Sequence, residues 1–337
     1  MPWDIQFRSG VFLPQLDWWL DAHFPKPRAF ISHAHSDHVA AHAEIVCSAG
    51  TAQLIRARQP RRRRRPIEHI LPFGHTEQLT ADSTITLHPA GHIFGSAQAL
   101  IEHTEHGRLL YTGDFKLRRG LSAEACATPA ADVLIMETTF GRPHYVFPPT
   151  DEILRDITSF CHETLAAGGT PVLFGYSLGK SQELLSGLAA AQLPVMLHPR
   201  TFDLTKVYEN LGLVFPPHRE FAATALRGHV VICPPQSRQS AFLREIPQAR
   251  TAMITGWAID RGATYRYGCD AAFPLSDHAD FPDLLRFVEL VRPQRVLTLH
   301  GFAADFARTL RARGVDAWAV SEDNQLDLRL EPDARSR

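Results

Sequence analysis

The chain has 337 residues, 45% of them hydrophobic, and its 35 Lys and Arg residues nearly balance 36 Asp and Glu residues, for a formal net charge of -1. This length and apolar content predict one large or two medium globular domains and exclude a disordered chain. The charge balance excludes a protein that binds nucleic acid through bulk positive charge, but it permits a local basic groove.

Short apolar and β-branched runs that end in turn residues mark the first 140 residues as rich in strands. The runs lie at 28–32, 83–88, 97–101, 108–111 and 132–136, with a hairpin turn at 102–107. From about residue 148 the pattern changes to an alternation of helices and strands. Helices are predicted at 151–167 and 180–191, and strands at 171–175, 194–197, 229–233 and 252–255.

This alternation predicts a mainly parallel sheet covered by helices. A helix at 282–291, a strand at 295–299 and a helix at 304–313 follow it. We therefore predict an inserted α/β domain at 146–272. Residues 1–145 and 273–337 would together form the other domain.

The sequence contains neither the pattern of a membrane-spanning helix nor that of a secretory signal. No stretch approaches the roughly 18 consecutive apolar residues of a membrane-spanning helix, and the first residues lack the pattern of a secretory signal. The five cysteines are scattered, which is typical of reduced thiols. We expect a cytoplasmic protein with no membrane partner.

Arginine is strongly favoured over lysine, with 31 arginines and four lysines. The planar guanidinium pairs with phosphate at two points, so the bias suits a phosphodiester substrate. A GC-rich genome explains it equally well. If the phosphate interpretation holds, several arginines should line one face of a cleft between the domains. The run of five arginines at 61–65 predicts an exposed segment, either solvated or in contact with nucleic acid.

Four side chains of metal-ligand type follow the strand predicted at 28–32. They are His33, His35, Asp37 and His38. Alternate residues of an extended segment point the same way, so the first two can share one metal ion while the last two turn toward a second. Burying so many polar groups in a core without partners would be unfavourable. The motif therefore predicts a metal site.

Two later motifs complete a pattern for two metal ions. His92 follows Gly91, and Asp114 follows Gly113 at the end of a predicted strand. A carboxylate in that position can bridge two cations. Each motif is weak alone, but their order after the first motif strengthens both.

The H-x-H-x-D-H, G-H and G-D-F series resembles the metallo-β-lactamase fold. The resemblance implies an αββα sandwich that holds two divalent ions at one edge of its sheets, most often zinc, with manganese as an alternative. The implied ligands are His33, His35 and His92 for the first ion, Asp37 and His38 for the second, and Asp114 between them. We also expect Asp37 to take part in catalysis.

The same resemblance implies an aspartate upstream of the motif that orients the ligands through hydrogen bonds. Asp21 lies 12 residues before His33 and fits this position. Asp17 is the competing candidate. We favour Asp21 and expect it to support catalysis.

Three more motifs flank the predicted insertion. They contain Glu137 in M-E-T-T-F-G, His278 in L-S-D-H-A-D and His300 in L-T-L-H-G. These resemble the motifs of β-CASP nucleases, which include both RNA-processing and DNA-processing enzymes. The resemblance implies that Glu137 orients His278, that His278 contacts the scissile phosphate, and that His300 adds a ligand to the second metal ion.

The runs at 174–182, 255–262 and 276–280 narrow the resemblance to bacterial ligase-associated DNA exonucleases. It implies a metal-dependent hydrolase that acts on DNA, as an exonuclease in repair or end processing, with a functional association with an ATP-dependent DNA ligase and a helicase. An RNA 3′-end processing nuclease is the alternative, because His300 is shared with members that cleave RNA. An inactive scaffold subunit and a small-molecule metallo-hydrolase are less favoured.

The sequence leaves two further contacts with nucleic acid undecided. Ser177 and Lys180 open a predicted helix and could cradle a phosphate, although an ordinary helix start fits equally well. Aromatic residues could stack on bases, and among them Phe140 and Tyr145 are the best candidates because they lie at the domain junction. Core packing is the default for each aromatic residue.

Overall fold

Two β-sheets pack face to face in the computed structural model, which describes residues 1–60 and 65–320. In spatial order, the first sheet contains β1 (Gln6–Phe7), β2 (Val11–Leu13), β3 (Trp18–Leu20), β4 (Arg28–Phe30), β5 (Glu44–Cys47) and β6 (Ile67–Ile70). The second contains β19 (Asp316–Ala319), β18 (Arg295–Leu299), β11 (Val133–Glu137), β10 (Gly107–Tyr111), β9 (Ala97–His103), β8 (Ser83–Pro89) and β7 (Thr76–Thr80).

The inner faces of these sheets form one apolar core, because alternate residues along each strand point to the same side. Leu20 and Phe30 from the first sheet meet Leu109 and Ile135 from the second. Helices cover the outer faces: α1 (Ala49–Arg58) on the first sheet, and α7 (Phe281–Val291) and α8 (Ala303–Ala312) on the second. The predicted αββα sandwich is therefore confirmed.

Helix α7 shows how local sequence fixes one of these outer layers. Asp280 caps its first turn by accepting a hydrogen bond from the Asp283 amide at 3.0 Å, and Pro282 occupies the first turn, where its missing N–H costs nothing. Leu284, Phe287, Val288 and Val291 are buried, at the spacing that places side chains on one helix face. This apolar stripe packs on the second sheet and fixes the segment that follows His278.

A third sheet contains six parallel strands. In spatial order they are β14 (His218–Glu220), β13 (Val195–Leu197), β15 (Val230–Cys233), β12 (Thr170–Phe174), β16 (Ala249–Ile254) and β17 (Ala271–Phe273). The helices of this region are α2 (Thr150–Ala166), α3 (Lys180–Gly187), α4 (Pro199–Asn210), α5 (Ala241–Arg244) and α6 (Ala263–Tyr267). Because these elements lie between 150 and 273, we propose the inserted domain essentially as predicted, with β17 ending one residue later.

The inserted region packs against the sandwich through α4 and α1. Leu204 and Tyr208 of α4 are buried in the same cluster as Ile45 of β5 and Ile55 of α1. This shared core fixes the third sheet beside the edge of the sandwich where the histidine motif lies.

The predicted strands and helices are confirmed, with ends shifted by a few residues. One helix is shorter than predicted: α3 ends at Gly187, and a short 3-10 turn follows at Ala189–Ala191. The predictions missed several elements, which are β1–β3, β5–β7, β14, β17, β19, α1 and α4–α6. Residues 61–64 of the arginine run lie outside the described part of the chain. None of the described helices is long and apolar enough to cross a bilayer.

Candidate metal centre

Three neighbouring parallel strands deliver candidate functional residues to one edge of the second sheet. Asp114 follows β10, Glu137 ends β11 and His300 follows β18. The carboxyl ends of parallel strands meet at the same edge, which is where open α/β sheets place their sites. Gly113 makes the approach close, because its φ is 56° and a Cβ there would lie 2.4 Å from the Ser32 side chain.

Four ligand atoms converge at this edge. Nε2 of His33 lies 2.9 Å from Nδ1 of His35, which lies 3.2 Å from Nε2 of His92. A carboxylate oxygen of Asp114 lies 3.6 Å from the His33 nitrogen and 3.8 Å from the His92 nitrogen. A tetrahedral zinc ion with bonds of about 2.0 Å holds its ligand atoms roughly 3.3 Å apart. The group therefore fits a metal ion.

The imidazoles of this group are held in the form that binds metals. Burial lowers the pKa of His92 to about 3, and it also lowers the pKa of His33, so both rings are neutral near pH 7. Neutral imidazole offers the lone pair that a cation needs.

The other ring nitrogen of each histidine in the motif has its own hydrogen-bond partner. The pairs are His33 Nδ1 with Ser32 Oγ at 2.9 Å, His35 Nε2 with the Leu178 carbonyl at 3.1 Å, His92 Nδ1 with the Asp277 carbonyl at 2.8 Å, and His38 Nδ1 with Asp21 Oδ2 at 2.9 Å. Such partners fix the tautomer and the ring orientation of metal-binding histidines. The free nitrogens are the ones that converge.

A second, more open group surrounds the same bridging carboxylate. Nε2 of His38 lies 3.4 Å from Asp114 and 3.8 Å from Asp37. The ring of His300 is 6.1 Å from that of His38, centre to centre. His300 lines the cleft beside them, with a left-handed φ of 58°. We propose these residues for the second ion.

Asp21 is the upstream aspartate that the structure brings to the site. It is buried, and it accepts hydrogen bonds from the Ser32 amide at 2.8 Å, the Tyr111 hydroxyl at 2.9 Å and His38. Asp17 instead pairs with Arg28 at 2.5 Å on the surface. Of the two candidates, we therefore retain Asp21 as the residue that orients His38.

Glu137, which is buried, and His278, which is half-buried and lines the cleft, form a pair next to the ligand atoms. The Glu137 carboxylate accepts hydrogen bonds from Nδ1 of His278 at 2.9 Å and from the Thr139 amide at 2.8 Å. Burial alone would lower the pKa of His278, but the Glu137 carboxylate raises it to about 9. A cation bound nearby would lower the pKa of His278 again. With Nδ1 engaged, Nε2 is the nitrogen left for a substrate.

Lys180 does not line the cleft, so its predicted phosphate contact is not supported by the geometry. Its side chain is buried, lies 3.0 Å from Asp277 and donates a hydrogen bond to the Leu275 carbonyl at 2.7 Å. Burial lowers the pKa of Lys180, and the ammonium holds the pKa of the Asp277 carboxyl well below its usual range despite burial. Ser177, by contrast, lines the cleft.

The cleft over the metal centre has a volume of about 690 Å³. Tyr176 and Trp257 from the inserted region line it, and the side chain of Tyr176 is exposed. Phe140 and Tyr145 were the preferred aromatic candidates for base contacts, but both are buried at the junction and pack against each other. The sequence pattern therefore did not single out the exposed aromatic residue of the cleft.

Three residues beside the site were not singled out from the sequence. Asp277 supports His92 through its carbonyl oxygen, and Arg58 and Arg200 line the cleft. The position of Asp277 next to His278 was a usable signal. Nothing local distinguishes the two arginines, because α1 and α4 are brought together only by the tertiary fold.

Several known proteins are similar to this chain. Residues 271–320 match the family described as "Zn-dependent metallo-hydrolase RNA specificity domain". The "Probable DNA ligase" of Opitutus terrae is 73% identical over 328 residues, which are 97% of this chain and 32% of that protein. The "5' exonuclease Apollo" of Rattus norvegicus is 29% identical over 86% of this chain and 55% of its own length. The chain belongs to the β-CASP family of metallo-β-lactamase-fold hydrolases.

This β-CASP protein also resembles the "Transcription termination factor FttA" of Methanothermobacter thermautotrophicus, with 34% identity over 34% of this chain and 19% of that protein. It spans about a third of the Opitutus protein and about half of the rat protein. The predicted family is confirmed, and the relatives' names are consistent with the predicted class of metal-dependent hydrolase. The His and Asp cluster fits divalent metal binding.

Proposed function

We propose that this β-CASP protein is a nuclease that uses two divalent metal ions, zinc or manganese, to hydrolyse DNA from an end during repair or end processing. The observation that carries the proposal is the Glu137–His278 pair, which lies beside the ligand cluster in a cleft lined by both regions of the chain. A hydrolase of small molecules would not need the inserted region as a second wall of the cleft, with the exposed side chain of Tyr176 in it.

The residues present divide the chemistry between them. His33, His35, His92 and Asp114 would hold one ion, and Asp37, His38 and His300 the other, with Asp114 shared. When bound, two such cations acidify water toward a pKa of roughly 7 and neutralise charge on a phosphodiester. Asp21 keeps His38 oriented through its Nδ1 atom.

His278 is the residue we assign to the phosphodiester itself. Glu137 holds its Nδ1 atom and favours the protonated ring, which leaves the Nε2–H facing the cleft. That N–H can donate to a non-bridging phosphate oxygen, where negative charge grows as the nucleophile attacks, or to the leaving oxygen. The ligands thus activate the attack, and His278 provides the contact that suits a phosphodiester.

The choice of DNA over RNA is supported by relatives rather than by the metal centre. The relatives named "Probable DNA ligase" and "5' exonuclease Apollo" align over 97% and 86% of this chain. RNA is the second candidate, favoured by the "RNA specificity domain" match at residues 271–320, which contains His300. The exposed Tyr176 can stack on bases of either polymer.

A direct test uses metal-quantified protein and strands of DNA and RNA labelled separately at each end. We expect mononucleotides to be released from one end of DNA, with RNA cut more slowly. The Asp114→Asn variant, which lacks the shared ligand charge, is the matched control for contaminating nucleases. Internal cuts in RNA with intact DNA would favour the RNA candidate, and inert DNA and RNA would reject the nuclease proposal.

We also propose that the nuclease acts together with an ATP-dependent DNA ligase and a helicase. The support is the 73% identity to a segment covering 32% of a protein named "Probable DNA ligase". On nicked DNA whose terminal mismatch blocks joining, we expect ligase from the same organism to join strands only after the nuclease has acted. Equal joining without the nuclease would contradict the association. Neighbouring genes for a ligase and a helicase would support it.

A further inference from the structure

Two arginines meet where the inserted region packs on the sandwich. Arg58 is the last residue of α1, and Arg200 lies in the first turn of α4. An Nη2 atom of Arg200 donates a hydrogen bond to the backbone carbonyl of Arg58 at 3.2 Å. Both side chains line the cleft that contains the metal centre. The arginine-lined cleft expected from the composition is therefore present at this point.

Neither guanidinium is in an ion pair within the part of the chain that the structure describes. No carboxylate oxygen there lies within 4.0 Å of Arg58 or Arg200, although the Asp37 charge acts on Arg58 from farther away. Other arginines of the chain differ in this respect: Arg118 lies 3.1 Å from Asp280, and Arg142 lies 2.5 Å from Asp305. Two neighbouring positive charges repel each other, and partial burial reduces the screening by water. Burial and the Arg200 charge accordingly lower the pKa of Arg58.

The contacts within the protein leave most of the hydrogen-bonding capacity unused. Arg58 donates to the Ala34 carbonyl, and Arg200 donates to the Arg58 carbonyl. Each guanidinium has five N–H donors in a planar fork. A recess of about 180 Å³ is lined by Ser36, Arg58 and Arg200, and all three residues also line the cleft. An anion placed there would have donors from both regions of the chain.

We propose that Arg58 and Arg200 form a phosphate clamp that holds a backbone phosphate of the bound strand next to the scissile one. Phosphate oxygens match the paired N–H groups of a guanidinium, and one anion offsets the repulsion between the two cations. The clamp lies near the metal centre, because Ala34, to which Arg58 donates, separates His33 from His35. The assignment of the phosphate to a nucleic-acid strand rests on the proposed nuclease function.

The first test measures binding of single-stranded DNA at several salt concentrations. Metal-loaded protein in a His278→Ala background is used, so that turnover does not interfere. Arg200→Gln should weaken binding roughly tenfold and reduce the slope of log affinity against log salt by about 0.7, the value for one lost phosphate contact on a single strand. The matched control is Arg155→Gln, whose side chain is exposed on α2. Equal behaviour of the two variants would overturn the clamp.

Arg58→Lys tests the other arginine of the clamp. It keeps a positive charge near the Ala34 carbonyl. It should bind DNA more weakly than the parent protein, with the metal content unchanged. In the otherwise unaltered enzyme, Arg200→Gln should lower kcat/KM for DNA by a larger factor than for bis(4-nitrophenyl) phosphate, which has no neighbouring phosphates. An equal loss on both substrates would assign the arginine a structural role and overturn the proposal.

The position of the phosphate can be mapped with neutral methylphosphonate linkages placed one at a time in the DNA. We expect one internal linkage to weaken binding by the parent protein and to have no effect on the Arg200→Gln variant. The contrary result is that removal of the terminal phosphate is the only change that weakens binding by the parent protein and leaves the Arg200→Gln variant unaffected. In that case the clamp does not hold a backbone phosphate, and the proposal is wrong. These binding results do not depend on hydrolysis, so a failure of the nuclease proposal would be seen separately, as intact DNA with the unaltered enzyme.

Discussion

The Lys180 ammonium lies 3.0 Å from a carboxylate oxygen of Asp277, and the backbone carbonyl of the same aspartate accepts a hydrogen bond from Nδ1 of His92 at 2.8 Å. Helix α3 of the inserted region therefore holds the loop that contacts His92 and carries His278. The two regions of the chain are coupled through this buried ion pair.

Replacing Lys180 with Met should lower the free energy of unfolding by about 3–5 kcal/mol, because it leaves the buried Asp277 carboxylate without its partner. Chemical denaturation of the metal-loaded protein measures this. The control is Lys206→Met, since Lys206 is exposed and its ion pair is with Glu209 on its own helix, at 3.8 Å. Unchanged stability, with a loss confined to DNA bearing a terminal phosphate, would instead restore the phosphate role of Lys180.

Asp21→Asn should weaken metal binding by roughly 10–100-fold, because Asp21 orients His38 and its loss disturbs a ligand indirectly. Competition with a chelator of known affinity gives the metal dissociation constants. Asp17→Asn should leave them unchanged, because Asp17 pairs with Arg28 away from the site. If both variants bind metal like the unaltered protein, Asp21 has no role in orienting ligands.

His278→Ala should keep the metal content and lower kcat by roughly 10²–10⁴-fold, the usual contribution of a positioned acid or base. Glu137→Gln should also lower kcat, because the neutral amide no longer favours the protonated ring of His278. Metal analysis and single-turnover cleavage of labelled DNA test both variants. Loss of a metal ion from the His278 variant would reassign this histidine as a ligand.

Tyr176→Ala should raise KM for oligonucleotides about tenfold, because stacking of one base on an aromatic ring contributes about 1–3 kcal/mol. Tyr176→Phe keeps the ring and should behave like the unaltered enzyme. Tyr265 is 94% exposed and does not line the cleft, so Tyr265→Ala is the matched control. A KM that rises equally in both alanine variants would refute a specific stacking role.

Removing the metal ions should destabilise the fold. At a free metal concentration of 1,000 times the dissociation constant, one site adds about 4 kcal/mol to the free energy of unfolding. Thermal unfolding of chelated and reloaded protein measures the difference. The His33→Ala variant should show a smaller shift on reloading, and an equal shift in that variant would place the stabilising metal elsewhere.

The sequence alone predicted most of the proposed ligand set, because His33, His35, Asp37 and His38 lie within one short segment. The strand that precedes them dictates which side chains share a direction. Glu137 and His278 were also named from their motifs, although they lie far apart in the chain. The 2.9 Å contact between them required the structure.

Other features depended on contacts between distant segments. The choice of Asp21 over Asp17 follows from which side chain reaches Ser32 and His38. The buried state of Lys180 depends on Asp277 and Leu275, which lie almost a hundred residues later in the chain.

The sequence by itself predicted the strand-rich and alternating regions and, through closely spaced motifs that resemble a known family, the αββα fold and the candidate metal ligands, because apolar runs and short motifs are local properties of the chain. Only the tertiary structure decided which arginines and aromatic side chains line the cleft. Arg58 and Arg200 are ordinary helix residues until the packing of α1 on α4 brings their charges together. That juxtaposition depends on three-dimensional packing, which no local pattern encodes.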